Sequence, residues 1–248
     1  MSGHSKWSTI KREKGAADAK RSKVWTKLVK EINIAARLGG GDPAGNPRLR
    51  RAIDAGRAAN MPNENLGRAI KKGTGELEGQ AYEEILYEGV GPSGALFVME
   101  IMTDNRNRTA AEVRRIFEKK GGAMGVSGSS TWAFAQKGVL RLPADGSSEE
   151  QLFDVAVGAG ADDVQLEGEH WVVVTPREQL DTVRDALEKA KITGVAGGLE
   201  FLATTPKVVS GDDAKLLLAL YEALDDNDDV QNVYADFELD ESDLAELA

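Results

Sequence analysis

The fold is decided by residues 163–175, DVQLEGEHWVVVT, where strand-like runs at 163–166 and 171–175 follow one another directly. Working outward, a helix-like segment and then a further strand lie on each side: helices at 149–157 and 177–191, strands at 139–142 and 199–203. The order βαββαβ is typical of the ferredoxin-like, split-βαβ plan. We therefore predict a ferredoxin-like domain over residues 138–203.

A second set of strands and helices lies on both sides of that domain. Strand-like runs at 82–90 and 95–103 come first, then a helix preceded by the capping box Thr109-x-x-Glu112, and, after the insertion, a strand at 207–209, a helix at 212–224 and a strand at 230–238. These segments predict one α/β domain, residues 79–137 plus 204–240, with the ferredoxin-like domain inserted in it. Residues 241–248 form an acidic tail.

The N-terminal third is helical and basic. At 100° per residue, the helix from Lys20 carries Val24, Leu28 and Ile32 on one side and a line of lysines on the other, so we expect the lysines to project away from the core. Asn46-Pro47 begins a second helix, and a third ends at Lys71-Lys72-Gly73. The sequence thus predicts a basic arm at 1–17, a helical domain at 18–78, and an α+β protein of three domains.

Composition excludes several classes of protein. The 248 residues are 41% hydrophobic and 29% charged, which is globular, and none is cysteine, so disulfides and thiolate chemistry are impossible. Two histidines are too few for a histidine-rich metal site or a histidine-based triad. No run reaches the ~18 apolar residues of a membrane span, and the first 30 residues lack the apolar core of a signal peptide. We expect a mature cytoplasmic protein without a membrane partner.

The net charge of −10 conceals a sharp asymmetry. Residues 1–75 contain 17 Lys+Arg and 6 Asp+Glu, which is +11, whereas residues 76–248 contain 14 and 35, which is −21. A basic module joined to an acidic body predicts a polyanionic partner for the basic module. Nucleic acid is the first candidate and anionic lipid the second.

The candidate nucleic-acid-binding residues all belong to the basic module. They are Lys6, Trp7, Lys11, Arg12, Lys14, Lys20, Arg21, Lys23, Lys27, Lys30, Arg48, Arg50, Arg51, Lys71 and Lys72. Trp7 can stack on an unpaired base or anchor the arm. The short third helix has no obvious base-reading face, so the pattern favours phosphate binding over sequence-specific readout.

Arg106 and Arg108 form a candidate anion site, since they lie between a strand and a helix N-terminus in the segment 103–109, TDNRNRT. The alternative is that Asn107 and Thr109 cap the helix while the arginines pair with nearby acids.

Two other motifs match ligand-binding loops in part of their sequence but lack the context that such loops require. Gly89-x-Gly91-x-x-Gly94 matches a dinucleotide fingerprint, but a strand follows it where a helix is required, so we predict a hairpin turn. Asp225-x-Asn227-x-Asp229 resembles the start of a calcium loop, but Val230 stands where glycine is needed. No catalytic spacing is present; we predict no enzyme activity, no cofactor and no metal.

Eight stretches together resemble the YebC/PmpR family, which includes the mitochondrial translational activator of cytochrome c oxidase subunit I. They are 3–7 GHSKW, 18–21 DAKR, 46–50 NPRLR, 60–62 NMP, 70–75 IKKGTG, 87–89 YEG, 103–109 TDNRNRT and 229–234 DVQNVY. The resemblance implies a cytoplasmic protein with a helical N-terminal domain and two α/β domains, one inserted in the other. It also implies either a DNA-binding transcriptional regulator or a ribosome-associated translation factor that relieves stalling, for example at proline runs.

The functional prediction is a nucleic-acid-binding regulatory protein, first of all a DNA-binding transcriptional regulator of the YebC/PmpR type. One alternative is a ribosome-associated translation factor that contacts ribosomal RNA. A second is a protein-interaction adaptor whose basic module meets acidic proteins. We expect a monomer.

Overall fold

The computed structural model describes residues 17–79, 81–240 and 243. The helices and strands, in chain order, are α1 (Ala17–Gly39), α2 (Pro47–Ala58), α3 (Asn63–Thr74), β1 (Glu83–Val90), β2 (Leu96–Thr103), α4 (Arg106–Lys119), β3 (Ala123–Met124), β4 (Phe134–Pro143), α5 (Glu149–Gly158), β5 (Asp163–Glu167), β6 (His170–Pro176), α6 (Leu180–Lys189), β7 (Ala196–Ala203), β8 (Lys207–Val209), α7 (Gly211–Asp225), β9 (Val230–Ala235) and β10 (Phe237–Leu239).

The described residues fall into two compact units. The first runs through the helices of the N-terminal third to Ser130 and resumes at Asp212–Val233. The second comprises Thr131–Gly211 and the chain from Tyr234 onward. No helix in the described part of the chain is long and apolar enough to cross a membrane.

Three helices form the N-terminal part of the first unit, as the sequence predicts. Helix α1 packs against both α2 and α3. Their apolar faces meet in one core, whose buried members are Ile32, Ala35, Ala36, Leu49, Ala52, Ile53, Met61, Leu66 and Ala69. The Asn46 side chain accepts a hydrogen bond from the Leu49 N–H (3.1 Å) and donates to the Ala35 carbonyl (2.7 Å). It therefore caps α2 and ties the start of α2 to α1.

Glycine is required where α3 approaches α1. A Cβ at Gly73 would lie 2.4 Å from the Asn33 carbonyl oxygen, so no larger residue fits without separating the two helices. This close approach fixes the last turn of α3, with Lys71 and Lys72, beside α1.

The rest of the first unit is a four-stranded sheet in the order β3-β1-β2-β9. Strands β1 and β2 are an antiparallel hairpin whose last pair is Val90 with Leu96, which confirms a turn, not a dinucleotide loop, at Gly89–Gly94. Helices α4 and α7 pack on one face of the sheet. Phe117 of α4 lies edge-on to Phe97 at 5.9 Å, and Leu217 and Leu220 of α7 are fully buried.

The second unit contains the predicted ferredoxin-like fold. Its sheet has the order β5-β6-β4-β7, and every neighbouring pair is antiparallel. The buried core between the sheet and its helices consists of Leu140, Leu142, Leu152, Ala156, Trp171, Val173, Leu180, Val183, Leu187 and Ile192. The α+β class with an inserted βαββαβ domain is thereby confirmed.

Two strand expectations were wrong. The strand at 207–209, β8, does not join the sheet of the α/β part but pairs in parallel with β10. The single strand expected at 230–238 is two strands, because buried Asp236 interrupts it. The Asp236 carbonyl accepts the Lys207 N–H (2.7 Å), and its carboxylate lies 3.1 Å from Lys207 Nζ, so this residue turns the chain toward β8.

Candidate nucleic-acid interface

Three lysines of α1 face aspartates at the end of α7 and in the loop after it. The Nζ atoms of Lys23, Lys27 and Lys30, hereafter the lysine row, lie 2.8 Å from Asp226, 3.0 Å from Asp225 and 2.5 Å from Asp229, respectively. Positions i, i+4 and i+7 share one face of a helix, so a single acidic segment can meet all three. We refer to residues 225–229 as the aspartate segment.

The ion pairs of the lysine row become less exposed to solvent along α1, from Lys23 to Lys30. The side chains of Lys23 and Asp226 are 43% and 68% exposed, and those of Lys27 and Asp225 are 22% and 32% exposed. Those of Lys30 and Asp229 are only 6% and 7% exposed. One surface therefore begins in solvent and ends in the protein interior.

Backbone oxygens also accept hydrogen bonds from the two less exposed lysines of the row. Lys27 Nζ donates to the carbonyls of Asp225 and Gln231, both at 3.3 Å, and Lys30 Nζ donates to the Asp228 carbonyl at 2.7 Å. Helix α7 ends at Asp225, so these ammonium groups lie where the helix dipole favours positive charge. The lysines bind the end of α7 as well as its carboxylates.

Asp229 is the centre of the closed end. Its carboxylate accepts hydrogen bonds from Lys30 Nζ, from the Thr109 hydroxyl (2.6 Å), from Arg108 Nη2 (2.7 Å) and from the Thr103 hydroxyl (3.3 Å). Burial alone would raise the pKa of this carboxyl, but the hydrogen bonds from Lys30, Thr109 and Arg108 outweigh it and lower the pKa to about 2. Asp229 is thus a fixed negative charge that joins α1 to the start of α4.

The expectation that the lysine side chains project away from the core was wrong for Lys30, which is buried. The apolar side of α1 packs on α2 and α3, and its lysine side packs on the aspartate segment. The partners lie about two hundred residues apart in the chain, as Lys30 and Asp229 are separated by 199 positions. Contact of the row with nucleic acid stays a prediction.

Arg48 is also engaged within the chain. Its guanidinium donates to both carboxylate oxygens of Glu31, at 2.7 and 2.9 Å, and also contacts Glu84 of β1. Hydrogen bonding to Glu31 is the main reason that the pKa of Arg48 is raised further above its ordinary value.

Other members of the candidate set face solvent. Arg50 of α2 and Lys71 and Lys72 in the last turn of α3 are exposed, and no carboxylate among the described residues pairs with them. Arg51 is half-buried. Lys20 and Arg21 lie on α1, but their side chains are outside the described part, and Lys6, Trp7, Lys11, Arg12 and Lys14 lie outside the described residues altogether.

At the candidate anion site, one arginine is paired with carboxylates of the chain and the other is exposed to solvent. Arg108 pairs with Asp104 (3.1 Å) and Asp229, as the ion-pairing alternative expected, and Arg106 is exposed. Asn105 caps α4 by accepting from the Arg108 N–H, so the expected capping by Asn107 and Thr109 was wrong. Helix α4 starts four residues earlier than the capping box suggests, which places Thr109 inside the helix, where its hydroxyl donates a hydrogen bond to Asp229.

Sequence reasoning missed Thr103 and Thr109 as partners of Asp229, and Tyr82 as a neighbour of Lys30. The Tyr82 ring centroid lies 5.6 Å from Lys30 Nζ, and burial, then the charges of Asp104 and Asp229, raise the pKa of its hydroxyl. Tyr82, Lys30 and Arg108 border an open cleft of about 520 Å³ beside the row. Segments 103–109 and 225–229 are both recognisable as motifs in the sequence, but no local pattern indicates that they meet in the fold. Within the described residues, no cluster of acids and histidines is arranged to hold a metal.

Comparisons with known proteins agree with this architecture. The model of the TACO1/YebC protein N-terminal domain matches residues 5–76, and that of the TACO1/YebC second and third domain matches residues 82–237. A probable transcriptional regulatory protein of Geobacter sulfurreducens is 53% identical over 247 residues and the full length of both chains. One of Carboxydothermus hydrogenoformans is 50% identical, covering 96% of this chain and 99% of its own.

A solved structure extends the likeness to three dimensions. The crystal structure of a conserved hypothetical protein from Aquifex aeolicus has a TM-score of 0.85 and 43% identity, covering 92% of this chain and 95% of that one. Matched by both family models and related along its whole length to the bacterial proteins, the chain belongs to the TACO1/YebC family.

Proposed function

We propose that the chain is a nucleic-acid-binding regulatory protein that grips duplex DNA in transcription control and has no enzymatic role. The observation that carries the proposal is a set of three exposed cations, one on α2 and two in the last turn of α3. Arg50, Lys71 and Lys72 have no carboxylate partner among the described residues, although the chain carries 41 acidic residues against 31 basic ones. Cations left unpaired in an acidic protein favour an external polyanion. The names of the bacterial relatives support transcription control.

The geometry of α3 favours phosphate contact over base reading. Midway along its exposed side, Arg68 is bound to Glu64 at 2.8 Å, so this arginine is already engaged. Lys71 and Lys72 follow in the last turn. Two lysines at a helix end can bind the backbone of any sequence, because phosphate contacts carry no base information. We further propose that the protein acts as a cytoplasmic monomer.

A second candidate is a ribosome-associated translation factor that contacts ribosomal RNA. The observation that favours it is the lack of a helix-turn-helix arrangement among the described helices: α1 packs on both α2 and α3, whereas α2 and α3 touch each other little. A phosphate grip without a recognition helix suits folded RNA as well as duplex DNA.

The test is a salt titration of the full chain on labelled duplex DNA and on a structured ribosomal RNA fragment. Lys71→Gln/Lys72→Gln is compared with Arg57→Gln/Arg68→Gln, which removes two exposed cations already paired at i,i+3 and i,i+4. We expect the lysine variant to flatten the log–log salt slope on DNA by about one to two units, and the control to change it less.

The loss should be similar for every DNA sequence tested. Absence of salt-dependent binding to either nucleic acid would contradict the proposal. Tighter binding to the RNA fragment than to duplex DNA at the same salt concentration would replace it by the second candidate.

A further inference from the structure

The lysine row has the chemistry of a phosphate-binding surface, and its ammonium groups already bind carboxylates within the chain. Three ammonium groups on one helix face each bind a carboxylate of the aspartate segment. The aspartate oxygens therefore occupy the positions that phosphate oxygens would take on this face, since both are anionic acceptors for a lysine Nζ.

The two ends of the row differ in how readily they can exchange partners. The Lys23–Asp226 pair is largely in water, and exposed ion pairs contribute little net free energy because both charges remain solvated when they separate. The Lys30–Asp229 pair is buried, and Asp229 also holds Arg108 and Thr109, so separating the pair would leave the Lys30 ammonium in the interior without a counter-charge. Exchange is inexpensive at the outer end and costly at the inner end.

We propose that the aspartate segment is a built-in competitor for nucleic-acid phosphate on the outer half of the lysine row. Asp225 and Asp226 release Lys27 and Lys23 to phosphate groups, while Lys30 and Asp229 stay paired and keep α1 attached to the α/β part. The inference rests on the proposed function, because it describes how the same basic module is regulated.

Competition of this kind has a thermodynamic signature. When phosphate displaces an aspartate, the freed carboxylate attracts cations from solution, which offsets part of the counterion release that drives binding. The wild-type chain should therefore bind more weakly, and with a shallower salt dependence, than a chain whose outer aspartates are neutral.

The experiment uses the full chain and a short labelled duplex DNA, titrated by fluorescence anisotropy at several salt concentrations. Asp225→Asn/Asp226→Asn is compared with Asp212→Asn/Asp213→Asn, which removes two charges from the first turn of the same helix, α7, roughly 20 Å away by helix rise. We expect the first variant to gain at least about threefold more affinity than the control, with a salt slope steeper by about one to two units.

If the aspartates compete with phosphate, the gain in DNA affinity requires Lys23 and Lys27. In a Lys23→Gln/Lys27→Gln background, Asp225→Asn/Asp226→Asn should gain no more than the control does. If the double substitution lowers the thermal midpoint of the protein, Asp226→Asn alone serves as the second variant. Asp226 is the most exposed of the three carboxylates that bind the lysine row, and its substitution should give a smaller gain in affinity.

The outcomes separate this inference from the proposed function. Wild-type binding with equal gains in both double variants, or a gain that survives loss of Lys23 and Lys27, would overturn the competition and leave the proposed function standing. No binding by the wild type or by any variant would overturn both. Binding by Asp225→Asn/Asp226→Asn where the wild type binds undetectably would support the competition.

Discussion

The inner and outer ends of the lysine row use the same two residue types with opposite consequences. Lys30 and Lys23 lie seven residues apart on α1, and each ends on an aspartate. The inner pair is buried and shares Asp229 with Arg108 and two threonines, whereas the outer pair stands in solvent with no further partner among the described residues. Both pairs join a lysine to an aspartate, so the difference in their contribution to stability follows from burial and from the additional partners of Asp229.

Burial therefore divides one helix face into a structural part and an exchangeable part. A buried charge that loses its partner is strongly destabilised, whereas separating an exposed pair costs little. The inner end attaches the helices to the α/β part of the first unit. The outer end is the part that an external anion can compete for.

The largest expected effect is at Asp229. Asp229→Asn keeps the shape of the side chain but leaves the buried Lys30 ammonium without a counter-charge and removes one of the carboxylates that bind Arg108, so we expect the free energy of unfolding to fall by about 3–5 kcal/mol. Urea denaturation measures the loss. Asp228→Asn is the matched control, because the neighbouring carboxylate is exposed, and its loss should stay within about 0.5 kcal/mol. Equal losses in the two variants would mean that the buried end is not special.

A smaller effect should appear on acidification. The pKa of Asp229 is lowered from 3.8 to about 2 in the folded protein, so its contribution is fully present above the unfolded pKa and is lost as the pH falls from about 4 toward 2. The contribution is about 2–3 kcal/mol by linkage. Urea denaturation of the wild type and of Asp229→Asn between pH 6 and pH 2.5 should show the stability difference shrinking through that window. A difference that stays constant to pH 2.5 would contradict the assigned pKa.

The parts of the fold that could be predicted from sequence are those encoded locally. Apolar spacing located α1, Asn46-Pro47 located the start of α2, and the glycines at 89–94 located the hairpin. The βαββαβ order needs only the sequence of elements along the chain, and the observed strand order follows from it.

The packing of the lysine row against the aspartate segment could not be predicted, because the two segments lie about two hundred residues apart in the sequence. The lysine periodicity was visible, but a solvated helix face and a docked one have the same sequence pattern until the covering segment is known. The aspartates were visible as a calcium-like motif, and their actual ligands are ammonium groups from α1. The sequence predicts Thr109 as a helix cap for the same reason, since its partner Asp229 lies 120 residues away.

Two double-mutant cycles on unfolding, one for Lys30–Asp229 and one for Lys23–Asp226, test the graded row most directly. Substituting the lysine by Gln and the aspartate by Asn, singly and together, isolates each pairwise coupling. We predict a coupling of about 2–3 kcal/mol for the inner pair and below about 1 kcal/mol for the outer pair. Equal couplings, or a larger one at the outer pair, would contradict the division of α1 into a structural and an exchangeable end.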